Sequence, residues 1–287
     1  MAKVAVSSTV FGRTDLQSVC RTAVEAGLPG LELSGNIQFL EDDRLANIFG
    51  LYRDQIDLFV HNYFPATKEP FVLNLSLKHH WRRSLEHCRR AIDLCQTNQL
   101  KQYSLHAGFA IDLAPSDLGG RQVNLTAVDF DESGENFFHA CQQAADYAHR
   151  KGVELLIENN VVASYNCPDG INRRYNFADL EGLPAFIDFF NKHRVGVLLD
   201  VGHLQVSAQT LRFDKVEFVR RVRPLIRAVH LSDNNACEDQ NLPVTERSWF
   251  WEHLPWKQID YVSFELRNVS VNMLREQIDL LKPHIKC

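Results

Sequence analysis

The 287-residue sequence has no Cys-x-x-Cys pair, no Gly-x-Gly-x-x-Gly turn, no apolar run of membrane-spanning length and no basic excess. Each absence removes a class of function. Seven cysteines stand apart at positions 20, 88, 95, 141, 167, 237 and 287. An odd, scattered set in a chain of this size fits reduced thiols in a cytosol, most of them small buried hydrophobes. No stretch reaches the ~18 consecutive apolar residues of a membrane helix. The opening run Met1 to Ser8 turns polar too early for a signal peptide. A cytoplasmic protein is expected, so the Asn-x-Ser/Thr triplets at Asn74, Asn124 and Asn268 read as chance matches without glycan. With 31 Lys and Arg against 36 Asp and Glu, the net charge of −5 offers no global basic surface for DNA or RNA. Nucleic acid is an unfavoured partner and small molecules the default, with homo-oligomerisation left open.

What is present is ordinary in composition and ordered in pattern. Hydrophobic residues make up 45% and charged residues 23%, with 14 Gly and 10 Pro, close to an average folded protein. Barrels of roughly 250 residues commonly form one unit, so residues 1–287 read as a single domain. Short β-rich runs fall at 4–8, 30–34, 57–62, 103–106, 154–159, 195–200, 227–232 and 261–267. Amphipathic helical patterns lie between or after them at 15–26, 75–97, 135–151, 180–193, 215–222 and 271–281. Asp15 and Ser133 stand where N-caps belong, Gly27 and Gly152 where helices end. Eight such units close into a (β/α)8 TIM barrel, and Ser8-Thr9-Val10-Phe11-Gly12 after the first run is no dinucleotide turn. Long segments at 109–134, 160–176 and 233–247 each follow a strand. In a parallel barrel they converge on the C-terminal face, where active sites of this fold lie.

The strands end in chemistry. His61 closes Phe-Val-His-Asn, His106 Ser-Leu-His-Ala-Gly, Glu158 Leu-Leu-Ile-Glu-Asn-Asn and Asp200 Leu-Leu-Asp-Val-Gly-His, the last also carrying His203. His230 follows in Ala-Val-His-Leu-Ser-Asp and Glu265 in Ser-Phe-Glu-Leu-Arg. One ionisable strand end is commonly a salt bridge or a cap. Repetition at one barrel mouth places carboxylates and imidazoles where they repel or stay unpaired unless a cation holds them. Oxygen and imidazole donors without thiolate suit Mn²⁺, Zn²⁺, Co²⁺, Mg²⁺ or Fe²⁺.

Taken in order and over essentially the full length, these motifs resemble the xylose-isomerase-like barrel superfamily, which includes ketose epimerases, hydroxypyruvate and inosose isomerases or dehydratases, and apurinic-site endonucleases. The resemblance implies a metal held by Glu158, Asp200, His230 and Glu265, with Glu158 and Glu265 also moving a proton. It implies a metal-dependent isomerase or epimerase of a small sugar, sugar acid or polyol-derived ketone, acting in carbohydrate metabolism. His61, His106 and His203 match positions that the endonuclease branch uses for further zinc ions, so they are candidates for a second metal or for substrate. That branch's Asp-x-His becomes Asp239-Gln240-Asn241 here, which argues against a third metal. The alternatives are a metal-dependent phosphodiester hydrolase of that branch and, ranked last, a barrel that holds metal without turnover. Glu32 is a candidate substrate contact or cap, and Arg267 a candidate anchor for a substrate carboxylate or phosphate. Arg173 and Arg174 offer a second anchor or a solvated pair. Trp249, Phe250, Trp251 and Trp256 read as a lid over a sugar or as helix packing, and His79, His80, Arg82 and Arg83 as an exposed charged helix face.

Overall fold

The computed structural model describes residues 2–118, 120–122 and 128–285. Eight parallel strands close a barrel in sequence order: β1 (Lys3–Ser7), β2 (Gly30–Leu33), β3 (Asp57–His61), β4 (Gln102–His106), β5 (Glu154–Glu158), β6 (Gly196–Asp200), β7 (Ile226–Leu231) and β8 (Tyr261–Phe264). Closure is made by β8 against β1, with Val4 opposite Val262 and Val6 opposite Phe264.

The period of two along each strand divides the molecule into its layers. Leu155, Ile157, Val197, Leu199, Val229, Val262 and Phe264 point outward into the large core shared with the helices. Their neighbours Leu156, Leu198, Ala228 and Tyr261 point inward and, with Phe59, fill the barrel itself. Phe59 and Tyr261 stack there at 4.2 Å between centroids. Two residues further along the same inward rows stand His61, Glu158, Asp200 and His230. The apolar plug and the chemical floor above it are therefore successive turns of one pattern.

Around the barrel lie α1 (Leu16–Glu25), α2 (Asp42–Tyr52), α3 (Trp81–Thr97), α4 (Phe130–Lys151), α5 (Leu183–His193), α6 (Val201–Leu211), α7 (Lys215–Val222) and α8 (Val271–Ile285). In α1, Leu16, Val19, Cys20 and Ala23 form the buried stripe, and Asp15 Oδ1 caps the start by accepting from Ser18 N at 3.0 Å. Gly152 ends α4 in the left-handed conformation at φ 70°. Helix α4 begins earlier than the sequence suggests. Asp129, not Ser133, is its N-cap, accepting from Glu132 N at 2.9 Å, while Ser133 lies buried inside the helix. Ser133 and Gly134 are poor helix formers and conceal its first turn from a propensity reading.

The β6–β7 connection holds both α6 and α7, whereas between β7 and β8 the described residues form no α-helix. The aromatic segment at 249–256 fills that gap. Phe250 and Trp251 are buried, and Trp251 stacks on His284 of α8 at 4.3 Å. Helix-layer packing is thus the role of these rings, not a lid. Asn74, only 1% exposed, is built into the interior by donating to Phe109 O; Asn124 lies outside the described residues. Cys20, Cys88, Cys95, Cys141 and Cys167 are buried and Cys237 exposed, all unpaired. No helix among the described residues is long and apolar enough to cross a membrane.

Candidate metal centre

Four consecutive strands deliver one cluster to the C-terminal mouth. Glu158 ends β5, Asp200 ends β6, His230 lies in β7, and Glu265 follows β8 directly. Their ligand atoms lie within 4.8 Å of one another. Three carboxylates surround a single imidazole nitrogen: His230 Nδ1 is 3.3 Å from Glu158 Oε1, 3.6 Å from Asp200 Oδ2 and 3.2 Å from Glu265 Oε2. Asp200 divides its two oxygens. Oδ1 caps α6 by accepting from His203 N at 2.6 Å, leaving Oδ2 to face the cluster. Asn159 locks this strand end by accepting from Asp200 N at 2.8 Å and donating to Asp200 O at 3.1 Å.

On the far side of the ring, His230 Nε2 stands 2.8 Å from Glu32 Oε1. Glu32 is fully buried and is not among the residues that line the cavity above. A carboxylate there favours the proton on Nε2 and turns the Nδ1 lone pair toward the other three acids, the usual way a histidine ligand is oriented.

The electrostatics of the cluster leave a surplus of negative charge. Glu32, Glu158, Asp200 and Glu265 gather with no Lys or Arg in ion-pair contact with any of them among the described residues. Burial pushes the Glu158 carboxyl up, but His106, His230 and His61 outweigh it and hold it well below the usual range. Burial presses His230 down, yet Glu32 and Glu158 outweigh it and raise it well above an ordinary histidine. A proton on His230 thus answers part of a surplus of negative charge, the work a divalent cation does better. Both Glu158 oxygens are buried without a hydrogen-bond donor, a costly state unless something else holds them. Oxygen donors, one imidazole and orphaned buried carboxylate atoms make this a fitting site for a divalent metal.

Three further histidines ring Glu158. His61 Nε2 and His106 Nδ1 each lie 3.4 Å from Oε2, and His203 Nδ1 lies 3.3 Å from Oε1. His61 is steadied by Ser104 Oγ at 3.0 Å and His203 by the Asn159 carbonyl at 3.0 Å. Burial, with other imidazoles close by, lowers His106 to about 4 despite Glu158. His61, His106 and Glu158 form a second group with convergent ligand atoms. Asp239 completes the ring at 3.6 Å from His203 Nε2. Asn241, its amide nitrogen turned toward Asp239, donates to both carboxylate oxygens at 2.9 Å.

Above the cluster opens a cavity of about 300 Å³, at the lower end of small-molecule sites. Among its lining residues are the polar His106, His203, Asp239, Glu265 and Arg267 and the rings and apolar groups of Tyr63, Phe109, Leu113, Tyr165 and Tyr175. The tyrosines and Asp239 escaped sequence reasoning as contacts, although the last three rings named and Asp239 sit on the long segments that pattern reading had marked. Arg267 is among the residues that line the cavity, whereas Arg173 is an exposed partner of Asp169 at 2.6 Å and Arg174 donates to Gln122 O at 3.2 Å.

Comparison with known proteins agrees with this architecture. No curated protein matches the sequence. Among solved structures, a D-tagatose 3-epimerase-like protein is 19% identical with a TM-score of 0.72, over 99% of this chain and 97% of that one. D-psicose 3-epimerase from Clostridium cellulolyticum H10, solved with D-tagatose, is 13% identical with a TM-score of 0.69, over 99% and 100%. An L-ribulose 3-epimerase is 16% identical with a TM-score of 0.65, over 100% and 92%. At such identities the likeness is one of fold. The sequence itself matches the family described as xylose isomerase-like TIM barrel across residues 20–266, and to that family the chain belongs.

Proposed function

We propose that the chain is a divalent-metal-dependent isomerase or epimerase of a small sugar, sugar acid or related ketone. The observation that carries this reading is the convergence of Glu158, Asp200 and Glu265 on His230 Nδ1 beside a small cavity of mixed polar and apolar lining. The four groups are the proposed ligands. When bound, the divalent ion supplies a positive charge that polarises a substrate carbonyl and acidifies the neighbouring C–H.

The chain's own groups do the rest. Glu265 borders the cavity, with its side chain 22% exposed, and is placed to exchange a proton with a carbon held there. Glu158 lies under the floor formed by His106 and His203 and stays ionised at neutral pH, so it enters the reaction as base rather than acid. A carboxylate held so far down is a weak base, which suits only a C–H that has already been acidified. His203 and Asp239 are placed to hold substrate hydroxyls. Arg267 is the one Lys or Arg among the described residues that line the cavity and gives a carboxylate or phosphate of the substrate a partner. The folds of the tagatose, psicose and ribulose epimerases named above lend this reading support.

The second reading, phosphodiester hydrolysis, draws on the His61, His106 and Glu158 group. Against it stand Asn241, engaged with Asp239 rather than offering an imidazole, and the net charge of −5. Metal-loaded protein incubated with a panel of ketoses and sugar acids in D₂O should incorporate solvent deuterium at the carbon beside the carbonyl. Glu158→Gln and Glu265→Gln should each lower the exchange by about 10²-fold or more. No deuterium uptake from any sugar, together with about three tightly held zinc ions per chain, would favour the hydrolase.

A further inference from the structure

The sequence carries a His79-His80 pair that the barrel centre does not use. The pair belongs to a short helical turn, Lys78–His80, that leads into α3. Opposite it stands Asp112, in the segment after β4. His79 Nε2 lies 3.1 Å from Asp112 Oδ2 and His80 Nε2 3.0 Å from Oδ1. The three ligand atoms fall within 4.8 Å of one another.

We propose that His79, His80 and Asp112 form a second transition-metal site, distinct from the barrel centre, that clips the segment after β4 to the start of α3. The two rings are 4.3 Å apart between centroids, so two imidazolium charges side by side would repel, and one carboxylate cannot neutralise both. Two neutral imidazoles and a carboxylate are instead the donor set of Zn²⁺, Co²⁺, Ni²⁺ or Cu²⁺, with water filling the open positions. His79 and Asp112 are 56% and 59% exposed, so a hydrated ion reaches them without rearrangement and with little desolvation. The neighbouring Lys78 is engaged by Glu132 at 3.1 Å, which limits its repulsion of a cation.

The position gives such an ion a consequence for the main site. Asp112 lies between the buried side chains of Ile111 and Leu113, and Phe109 and Leu113 border the cavity. Fixing Asp112 fixes that wall. Zinc at this site would therefore order one side of the substrate cavity without touching the barrel ligands.

The test uses the full chain and its exposed-site variants His79→Ala and Asp112→Asn, with circular dichroism to confirm folding. Equilibrium dialysis against Zn²⁺, with Co²⁺ absorbance as a second readout, should give one ion more per chain in the parent than in either variant, or about tenfold weaker binding of that ion. Zinc should also slow amide hydrogen exchange over residues 109–118 in the parent and not in the variants. Equal ion counts and affinities in all three proteins would overturn the site. Loss of the ion without any difference in exchange would overturn the clip.

Discussion

At the scale of single residues, the mouth is governed by how few donors reach so many acceptors. Glu158 lies against four imidazoles, none of them in good hydrogen-bond geometry, which is why its charge, not its shape, organises the centre. These strand-end groups were legible because a period-two strand that ends in His, Glu or Asp can point that residue only inward or outward. Depth was not legible. Glu32 and Arg267 read alike as substrate contacts, yet one is sealed under His230 and the other faces the cavity, because nothing in a local pattern reports how many layers lie above a residue. His87 carries a test away from this centre. It is 3% exposed, gives Nε2–H to the Asn62 carbonyl at 2.8 Å and leaves Nδ1 without a partner. Burial lowers it to about 4, against an ordinary value of 6.5. Between those values the unfolded chain takes up a proton that the folded chain refuses, so stability falls as pH drops from about 6.5 to 4. The loss should approach on the order of 3 kcal/mol at the lower end. Urea denaturation of the parent and of His87→Gln across that window reads it as a difference in slope; parallel profiles would refute it.

At the scale of elements, the helices that the sequence showed clearly are those with a polar face to contrast with the buried one, such as α1 and α3. Helix α6 was harder, because Val201, Leu204, Val206, Ser207 and Ala208 are all buried and leave no alternating signal. The missing helix between β7 and β8 was likewise hidden, since an aromatic segment fills the outer layer without helical spacing. What no periodicity shows is how the long segments are tied down. Asn160 donates to the carbonyls of Ala107, Gly108 and Asn176, and Asn74 and Ser76 crowd Gly108 from the other side. A Cβ on Gly108 would meet Asn74 Oδ1 at 2.5 Å and Ser76 N at 2.9 Å, within a rigid hydrogen-bonded knot. Gly108→Ala should cost roughly 1–3 kcal/mol and distort the cavity wall built by Phe109, so that thermal stability and substrate affinity fall together. Unchanged melting would show that the knot relaxes freely.

At the scale of the whole molecule, the proposed ligands come from four consecutive strands of a closed ring, so one ion joins the ends of β5 through β8 across their shared edge. In the metal-free state those ends carry mutual repulsion that the apolar plug below must overcome, and the protonation of His230 offsets only part of it. An ion that binds the folded chain and not the unfolded one stabilises by mass action, by about 2.7 kcal/mol at a hundredfold excess over Kd. In a chain of this size, that corresponds to a rise in Tm on the order of 5 °C. Calorimetry of chelator-treated protein, with and without added Mn²⁺, Co²⁺ or Zn²⁺, should show this rise. With Mn²⁺, which is outside the set proposed for the surface clip, Asp200→Asn should abolish most of it, while His79→Ala should retain it. A melting temperature indifferent to every one of these metals would mean that the buried carboxylates are balanced by protons alone.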